Sequence, residues 1–372
     1  MSRWRNRSSL KLLVAGAAAC TALGVPLLVS ATSSGATSLP VITPQPFAAG
    51  NTTAAPPQLK PDDIAVLGGN LYVTYQNGVG PDGSPSSTGV FQSTVVEYSS
   101  AGAVVQSWLL LGRCDGLGAD PLHNRVLASV NEDNNSSLFS ITPGNPTPFH
   151  YSYYPNPSEL AGTETSPNGG TDSISVTPRG TIYIAHSNPD PGVPNTAAVY
   201  TVTLSGTNAL LKPVFHVNST VEDVVTHTFV KLALTDPDSN RLIPATAPVL
   251  PGAFLQDSQG DGQVIIKQPR SLLERLVLKN VETPTLQPTI DDMVEITGRG
   301  TLYVVDQGAD TVQTIDTSEF APGTIVIAQP ADTTTTPVTV GQLGVLDPTT
   351  GVITHFPNTF NSPKGLVFVP KG

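Results

Sequence analysis

Two stretches of the chain decide its fold: TDSISVTPRGTIYIAHSN at 171–188 and DDMVEITGRGTLYVVDQG at 291–308. Each carries an Asp near its start, an alternating apolar segment, an Arg-Gly pair and a second apolar segment that ends in polar residues. Alternation on both sides of a glycine turn predicts a β-hairpin. The chain is therefore expected to repeat one antiparallel unit.

Further copies of this unit occur along the chain. DDIAVLGGNLYVTYQN (62–77) has the same design, 114–133 has it with a longer turn, and a weaker copy runs from Asp238 through 253–267. Second hairpins lie between the units, at 94–108, 197–217 and 342–356. Four short strands per unit, repeated at intervals of roughly 50–65 residues, are typical of a β-propeller.

The number of blades follows from the unit starts, which lie at Asp62, Asp115, Asp172, Asp238 and Asp292. The terminal segment SPKGLVFVP (362–370), which begins around Lys364, supplies another first strand. Six innermost strands predict an all-β propeller of six four-stranded blades over 62–372, the last blade completed partly by the N-terminal segment. A five-blade ring is the close alternative. An eight-stranded sandwich or jelly roll is the alternative fold.

The composition excludes several classes of protein. Among 372 residues there are 33 Gly and 35 Pro, and only 13% of residues are charged. Coiled coils and helical arrays need Ala, Glu, Lys and Leu in bulk, so this composition argues against both. The net charge of −11 argues against a nucleic-acid-binding protein, which needs a basic face.

The N-terminal segment has the order of a secretory signal peptide. Four basic residues, Arg3, Arg5, Arg7 and Lys11, precede an apolar run over 12–31, and a Ser/Thr/Gly stretch follows it. We expect 1–36 to be a signal peptide and 37–61 a Pro/Ala/Thr-rich extended leader, giving a secreted protein. The alternatives are anchoring in the envelope by an uncleaved signal or by lipidation of Cys20.

Cleavage would leave a markedly acidic chain. Without the four basic residues of the signal, 14 Lys and Arg face 29 Asp and Glu. Such a chain is repelled by anionic membranes. It would hold one cysteine, Cys114, so no intramolecular disulfide can form. We expect a monomer that contacts neither nucleic acid nor, after cleavage, a membrane.

Three short motifs carry a resemblance to known propellers. DGLGAD (115–120), GRGTLYVVD (298–306) and SPKGLVFVP (362–370) resemble the blade motif of the NHL-repeat, gluconolactonase-like and strictosidine-synthase-like propellers. The resemblance implies a propeller over about 62–371. The gluconolactonase-like enzymes bind a divalent cation through a Glu, two Asn and an Asp. The first inner strand of this chain offers Asp62 and Asp63 but no Glu.

Propeller geometry predicts which residues meet. The starts of the first strands and the loops after the second strands share one face of the ring. Asp115, Asp172 and Asp292 occupy one position of three units, Asp257 and Asp306 share a second position, and His186 lies on the same rim. These six residues are the candidate ligand-binding or metal-binding rim.

Carboxylates that face a narrow axis repel one another. They need a divalent cation, the Lys364 ammonium or raised pKa values to coexist, and all-oxygen ligands suit Ca²⁺ or Mg²⁺. The structural alternative is that each Asp caps a loop by accepting backbone N–H bonds.

Two functions follow from this rim. The first is a binding scaffold whose loop-rich channel face takes a small molecule, a glycan or a protein. The second is a metal-assisted hydrolase or lyase of the lactonase-like type, in which His186 is the candidate acid or base. The chain has no H-E-x-x-H zinc motif and no G-x-S-x-G nucleophile elbow. Because no nucleophile–base pair can be identified in the sequence, the binding scaffold is favoured.

Overall fold

The computed structural model describes residues 39–55, 57–156, 169–190, 192–193, 195–269, 271–282, 286–332, 338–357 and 360–371. The predicted signal peptide over 1–36, with Cys20, lies outside these ranges. Within them, no helix is long and apolar enough to cross a membrane.

The first sheet is an antiparallel meander. A short strand, β1 (Gln45–Ala49), precedes it, and the meander consists of β2 (Pro61–Leu67), β3 (Asn70–Tyr75), β4 (Gln92–Tyr98) and β5 (Val104–Leu111). The β2–β3 turn is made by Gly68 and Gly69, with φ of 62° and 85°. A two-residue turn with positive φ at both positions matches the twist of the paired strands, and glycine adopts it without strain.

The next eight strands form one sheet. They are β6 (Cys114–Asp120), β7 (Arg125–Val130), β8 (Ser137–Ile141), β9 (Phe149–Tyr154), β10 (Ile174–Val176), β11 (Ile182–Ala185), β12 (Ala197–Ser205) and β13 (Asn208–His216). Strands β6–β9 form one antiparallel meander and β10–β13 a second. The two meanders join where β13 pairs in parallel with β9. Strands β6 and β10 therefore lie at opposite ends of the sheet.

A six-stranded sheet follows. Its strands are β14 (Thr220–Asp223), β15 (Phe229–Lys231), β16 (Pro237–Leu242), β17 (Phe254–Ser258), β18 (Gln263–Lys267) and β19 (Leu273–Val277). Strands β16–β19 form the meander, and the β14–β15 hairpin extends it beyond β19. The weaker repeat from Asp238 to 267 is thus a true unit.

The last eight strands are shared between two sheets. They are β20 (Lys279–Asn280), β21 (Asp292–Ile296), β22 (Gly300–Asp306), β23 (Thr311–Asp316), β24 (Thr324–Gln329), β25 (Gln342–Leu346), β26 (Val352–His355) and β27 (Pro363–Pro370). One sheet has the order β21-β24-β25-β26-β20, and the other has the order β27-β22-β23-β1. The N-terminal strand β1 and the C-terminal strand β27 thus lie in the same sheet, as expected for ring closure.

The stretch 291–308 corrects one prediction. Its two strands, β21 and β22, do not pair with each other: β21 pairs with β24, and β22 pairs with β23 and β27. The two stretches also differ at the glycine between their strands. In 171–188, Gly180 has a φ of 81° and makes a turn. A Cβ on Gly300 would lie 2.2 Å from the carbonyl oxygen of Val369 in β27. Gly300 therefore permits a close approach of backbones while the chain crosses to the next sheet.

Helical structure in the described ranges consists of four three-residue 3-10 turns, at Pro121–His123, Gln259–Asp261, Gln307–Ala309 and Thr317–Glu319. Two of them connect second and third strands in the same way. The turn after β17 ends at Gly262 and the turn after β22 ends at Asp310, both in the left-handed conformation. The segments 253–267 and 302–315 therefore have the same local structure.

The sheets have a propeller-like arrangement. In the described chain, strands β2, β6, β10, β16, β21 and β27 contact one another in that order, and β27 contacts β2 again. These six inner strands lie at the predicted unit starts and are distributed over five sheets. The all-β propeller prediction is confirmed.

Apolar side chains pack between neighbouring sheets. Trp108 and Leu110 of β5, for example, pack against Leu117, Val126 and Ala128 of the next meander. Fully burying an aliphatic or aromatic side chain of this kind stabilises a protein by about 1.5–3 kcal/mol. These inter-sheet cores hold the inner strands in place, since inner strands of different sheets do not pair with each other.

Candidate functional site

The starts of the inner strands surround a cavity of about 150 Å³, which we call the mouth cavity. Its walls are strongly acidic. Among the described residues, the acids that line it are Asp62, Asp63, Asp115, Glu132, Asp172, Asp236, Asp238, Asp291 and Asp292. Two cations, Arg113 and Lys364, line it as well. The cavity therefore holds far more potential negative charge than positive charge.

Lys364, on the last inner strand, neutralises one part of the mouth cavity. Its Nζ forms an ion pair with Asp291 and lies 3.9 Å from Asp62 Oδ1. Burial disfavours the ammonium, but the charges of Asp291 and Asp62 outweigh burial and raise the pKa of Lys364 well above its usual value. Lys364 stays charged in this cavity.

Arg113 neutralises a second part of the mouth cavity. Its guanidinium lies 2.9 Å from Asp115 Oδ1 and 3.0 Å from Glu132 Oε1. Gln76 Nε2 also donates to Asp115 Oδ1, at 2.6 Å. The other oxygen of Asp115, Oδ2, is buried and has no hydrogen-bond partner in the described chain. Asp115 therefore keeps one acceptor for a ligand.

Asp292 joins three inner strands. Its carboxylate accepts the N–H groups of Leu366 and Met293, both at 2.7 Å, and the hydroxyl of Ser239 at 3.0 Å. It also pairs with the guanidinium of Arg241. These donors come from β16, β21 and β27, so the Asp292 carboxylate holds neighbouring inner strands together. Its role is the structural one.

Asp63, beside the repeated Asp of the first unit, acts in the same way. Its carboxylate accepts the N–H of Ile64 and, on the next inner strand, the N–H of Leu117, both at 2.6 Å. Because inner strands of different sheets do not pair through their backbones, such side-chain bonds link them.

Asp172 and Asp238 differ from these residues. Their carboxyl groups lie close enough to form a hydrogen bond when one of them holds a proton. Burial, and next the charge of Asp238, raises the pKa of Asp172 well above its usual range. Neither residue forms an ion pair with a described side chain. The charges of Lys364 and Arg113 act on Asp238 and Asp172 only from beyond ion-pair distance.

Asp257 is fully buried, and neither of its carboxylate oxygens has a partner among the described residues. It does not line the mouth cavity. Burial, followed by the charge of Asp238, raises its pKa well above the usual range. Asp257 therefore holds its proton more tightly than an exposed Asp does.

Asp306 is held by hydrogen bonds to a backbone loop. Its two oxygens accept the N–H groups of Asn361 and Ser362, at 3.0 and 2.8 Å. Both donors belong to the segment that leads into β27. Asp306 thus caps this loop, as in the structural alternative, and it lies outside the mouth cavity.

His186 also lies outside the mouth cavity. It is fully buried, its Nδ1 lies 2.7 Å from the carbonyl oxygen of Ala197, and its ring packs against Tyr200. A nitrogen at this distance from a carbonyl carries the proton and donates it. Burial lowers the pKa of His186 to about 4, so the side chain is neutral at pH 7.

Three of the six candidate rim residues, Asp115, Asp172 and Asp292, thus meet at one cavity. Our candidate rim omitted Arg113, Asp236 and Asp291, which line the same cavity. All three lie one or two residues before a repeated Asp. Their position directly before an inner strand was the signal that could have identified them.

The mouth cavity offers oxygen atoms, the ligand type that Ca²⁺ and Mg²⁺ prefer. In the described part of the chain, however, no three Asp, Glu, His or Cys side chains are already grouped as metal ligands. A divalent cation would thus require the carboxylates to move toward one another. The site suits a cation chemically, but it is not a preformed metal centre.

Comparisons with known proteins concern the fold. No family model and no curated protein sequence matches the chain. A solved structure of a Bacteroides caccae protein of unknown function matches with a TM-score of 0.46 and 9% identity, over 84% of this chain and 87% of that one.

The structures of two enzymes match with similar TM-scores and sequence identities. A Staphylococcus aureus virginiamycin B lyase matches with a TM-score of 0.45 and 12% identity, over 88% of this chain and 81% of that one. A Pseudomonas aeruginosa periplasmic gluconolactonase matches with a TM-score of 0.45 and 11% identity, over 83% and 88%. At these identities and TM-scores, the matches assign no role to this chain. Its function has to be argued from its own residues.

Proposed function

We propose that this protein is an exported binding propeller whose mouth cavity takes a small, positively charged ligand. The observation that supports this most is the Asp172–Asp238 pair. It lines the cavity, with Asp172 buried and Asp238 half-buried, and neither residue forms an ion pair with a described side chain. A bound cation would compensate the repulsion between the two carboxylates, and it would displace the proton that they hold when it binds.

The chain itself contains an example of such a complex. The ammonium of Lys364 lies between Asp291 and Asp62 at the same mouth. An ammonium has three donors and needs no fixed coordination geometry. A ligand amine at Asp172 and Asp238 would repeat this arrangement.

The size of the cavity limits the ligand. A volume of about 150 Å³ holds a few water molecules or a molecule about as large as benzene. An aminoalkyl group of a few carbons fits this space. Ca²⁺ or Mg²⁺ is the second cation to test, because the carboxylates would have to rearrange around it.

Isothermal titration calorimetry at pH 7.5 tests the proposal. The titrants are 1,3-diaminopropane, CaCl₂ and MgCl₂ after EDTA treatment, with tetramethylammonium at equal ionic strength as a cation that donates no hydrogen bonds. We expect saturable binding of the diamine, and Asp172→Asn and Asp238→Asn should weaken it. Asp306→Asn, which removes a carboxylate outside the cavity, is the matched control. Binding of none of the cations, or equal binding by all four proteins, would contradict the proposal.

Export is part of the same proposal. The basic residues Arg3, Arg5 and Arg7, followed by the apolar run over 12–31, support it. The exported protein should begin between residues 31 and 37 when its intact mass is measured. A product that begins at a lipidated Cys20, or that retains Arg3, would contradict export by cleavage.

A further inference from the structure

A second concave site lies away from the mouth cavity. It is a groove of about 510 Å³ between the first sheet and the β6–β9 meander. One wall consists of Leu111 and Gly112, at the end of β5, together with the Asp82–Gly83 turn. The other wall is one face of β8 and β9. We call this site the side groove.

The β8–β9 wall presents two cross-strand pairs in a row. Phe139 of β8 lies opposite His150 of β9, and Ser137 lies opposite Ser152. The Phe139 and His150 rings are 5.0 Å apart between centroids, at an interplanar angle of 60°. His150 and Ser152 are exposed. Rings and hydroxyl groups therefore stand side by side on a single surface.

The floor of the side groove is Asn131, whose side chain is held from both ends. Its Oδ1 accepts the N–H of Arg113 at 2.9 Å, and its Nδ2 donates to the carbonyl oxygen of Asn135 at 3.1 Å. A Cβ on Gly112 would lie 2.5 Å from Asn131 Oδ1, and one on Gly83 would lie 2.8 Å from Asn131 Nδ2. These glycines let the backbone close over a fixed amide, so the groove is preformed.

The lining of the side groove argues against a strongly ionic partner and, on the β9 wall, against an added strand. Asp82 is the only carboxylate among its described lining residues, and neither Lys nor Arg lines it. A strongly ionic ligand therefore finds no matching charge. A peptide that adds a strand needs a free edge, and β9 offers none at Ser152–Tyr154, where it pairs with β8 on one side and with β13 on the other.

We propose that the side groove binds a neutral sugar ring. A pyranose has C–H faces that pack on aromatic rings and hydroxyl groups that exchange hydrogen bonds with Ser and Asn side chains. Phe139, His150 and Leu111 supply the apolar contacts, and Ser137, Ser152 and Asn135 supply the polar ones. Leu111 is 66% exposed, so a ligand would cover apolar surface that now faces water.

Saturation-transfer NMR on the exported protein tests this, followed by titration calorimetry. The probes are the methyl glycosides of glucose, galactose, mannose and N-acetylglucosamine, and the disaccharides maltose and cellobiose, each at up to about 20 mM. We expect at least one to bind with a Kd of about 0.1–10 mM, the range of small neutral ligands in open sites. His150→Ala and Ser152→Ala should each weaken this binding about three-fold or more.

The controls separate this site from others. His227→Ala removes an exposed histidine from the β14–β15 hairpin and should leave sugar binding unchanged. Asp172→Asn should also leave it unchanged, so failure of the cation proposal does not affect this one. No binding by any of the six sugars would overturn the proposal. Binding that His150→Ala and Ser152→Ala leave unchanged would overturn it too, because the sugar would then be bound elsewhere.

Discussion

Asp292 and Asp172 occupy the same position of two repeat units, yet their surroundings differ. Asp292 accepts two backbone N–H groups and pairs with Arg241, so its charge is fully compensated within the chain. Asp172 lies beside a second acid, Asp238, which raises its pKa, and it has no ion pair in the described chain. The same residue at the same repeat position thus links neighbouring inner strands in one unit and, in our proposal, contributes to a ligand site in another. The hydrogen-bond donors that neighbouring strands provide decide which of these two roles the Asp has.

The largest expected effect is that of removing the compensated charge. Asp292→Asn deprives the Arg241 guanidinium of its carboxylate and weakens the link to Leu366. Breaking a buried pair in this way costs about 3–5 kcal/mol of unfolding free energy. Urea denaturation should show this loss. A loss smaller than that of Asp172→Asn would contradict the assignment of structural and ligand-binding roles.

The pH dependence of stability sharpens the same comparison. Burial raises the pKa of Asp62 and of Asp236 to about 7 each. Between pH 6.5 and 8.5 the folded protein therefore binds more protons than the unfolded chain, so the unfolding free energy falls as pH rises. His186 opposes this weakly near pH 6.5, where the unfolded histidine is about half protonated, and its contribution vanishes as the pH rises toward 8.

Melting temperatures measured across pH 6.5–8.5 should therefore decrease, and Asp236→Asn should make the decrease shallower. Asp306→Asn, which lies outside the cavity, should keep the slope of the parent protein. A melting temperature that rises over this window would show that the pKa values of the carboxyl groups in the mouth cavity are not raised.

A smaller effect is expected at the loop cap. Asp306→Asn keeps one acceptor oxygen but loses the second, which now bonds Asn361 or Ser362. The loss of one such hydrogen bond costs about 1 kcal/mol. Urea denaturation of this variant should show that cost, while cation binding should not change. Altered cation binding would indicate that Asp306 influences the mouth cavity.

The smallest effect on the ligand-free protein is expected for Asp172→Asn. The amide can donate to Asp238 in place of a carboxyl proton, and one potential negative charge leaves the cavity. We expect the unfolding free energy to change by less than about 1 kcal/mol. A loss comparable to that of Asp292→Asn would mean that Asp172 also joins strands.

Much of the fold could be predicted from the sequence, because the repeat unit is local. An alternating strand, a turn and a second strand lie within about twenty residues, and the inner strands begin within two residues of the predicted starts. The sequence did not reveal that β21 and β22 belong to different sheets, because Gly300 cannot be distinguished in the sequence from a glycine in a turn. Its real constraint is Val369, which is distant along the chain.

The site was only partly predictable for the same reason. The repeat identified Asp115, Asp172 and Asp292 as neighbours around the channel, and all three line the mouth cavity. Which of them is compensated depends on contacts across the ring. Leu366, whose N–H Asp292 accepts, lies 74 residues away, and Arg241 lies 51 residues away. Such partners are fixed by ring closure, and no local pattern reports them.

The most direct test measures how much a cation stabilises the protein. At pH 7.5, 1,3-diaminopropane at a hundred times its Kd should raise the unfolding free energy of the exported protein by about 2.7 kcal/mol. The account predicts that most of this gain disappears in Asp172→Asn and persists in Asp306→Asn. An equal gain in Asp172→Asn, or no gain in the parent protein with the diamine, Ca²⁺ or Mg²⁺, would contradict the claim that the uncompensated carboxyl pair is the binding site.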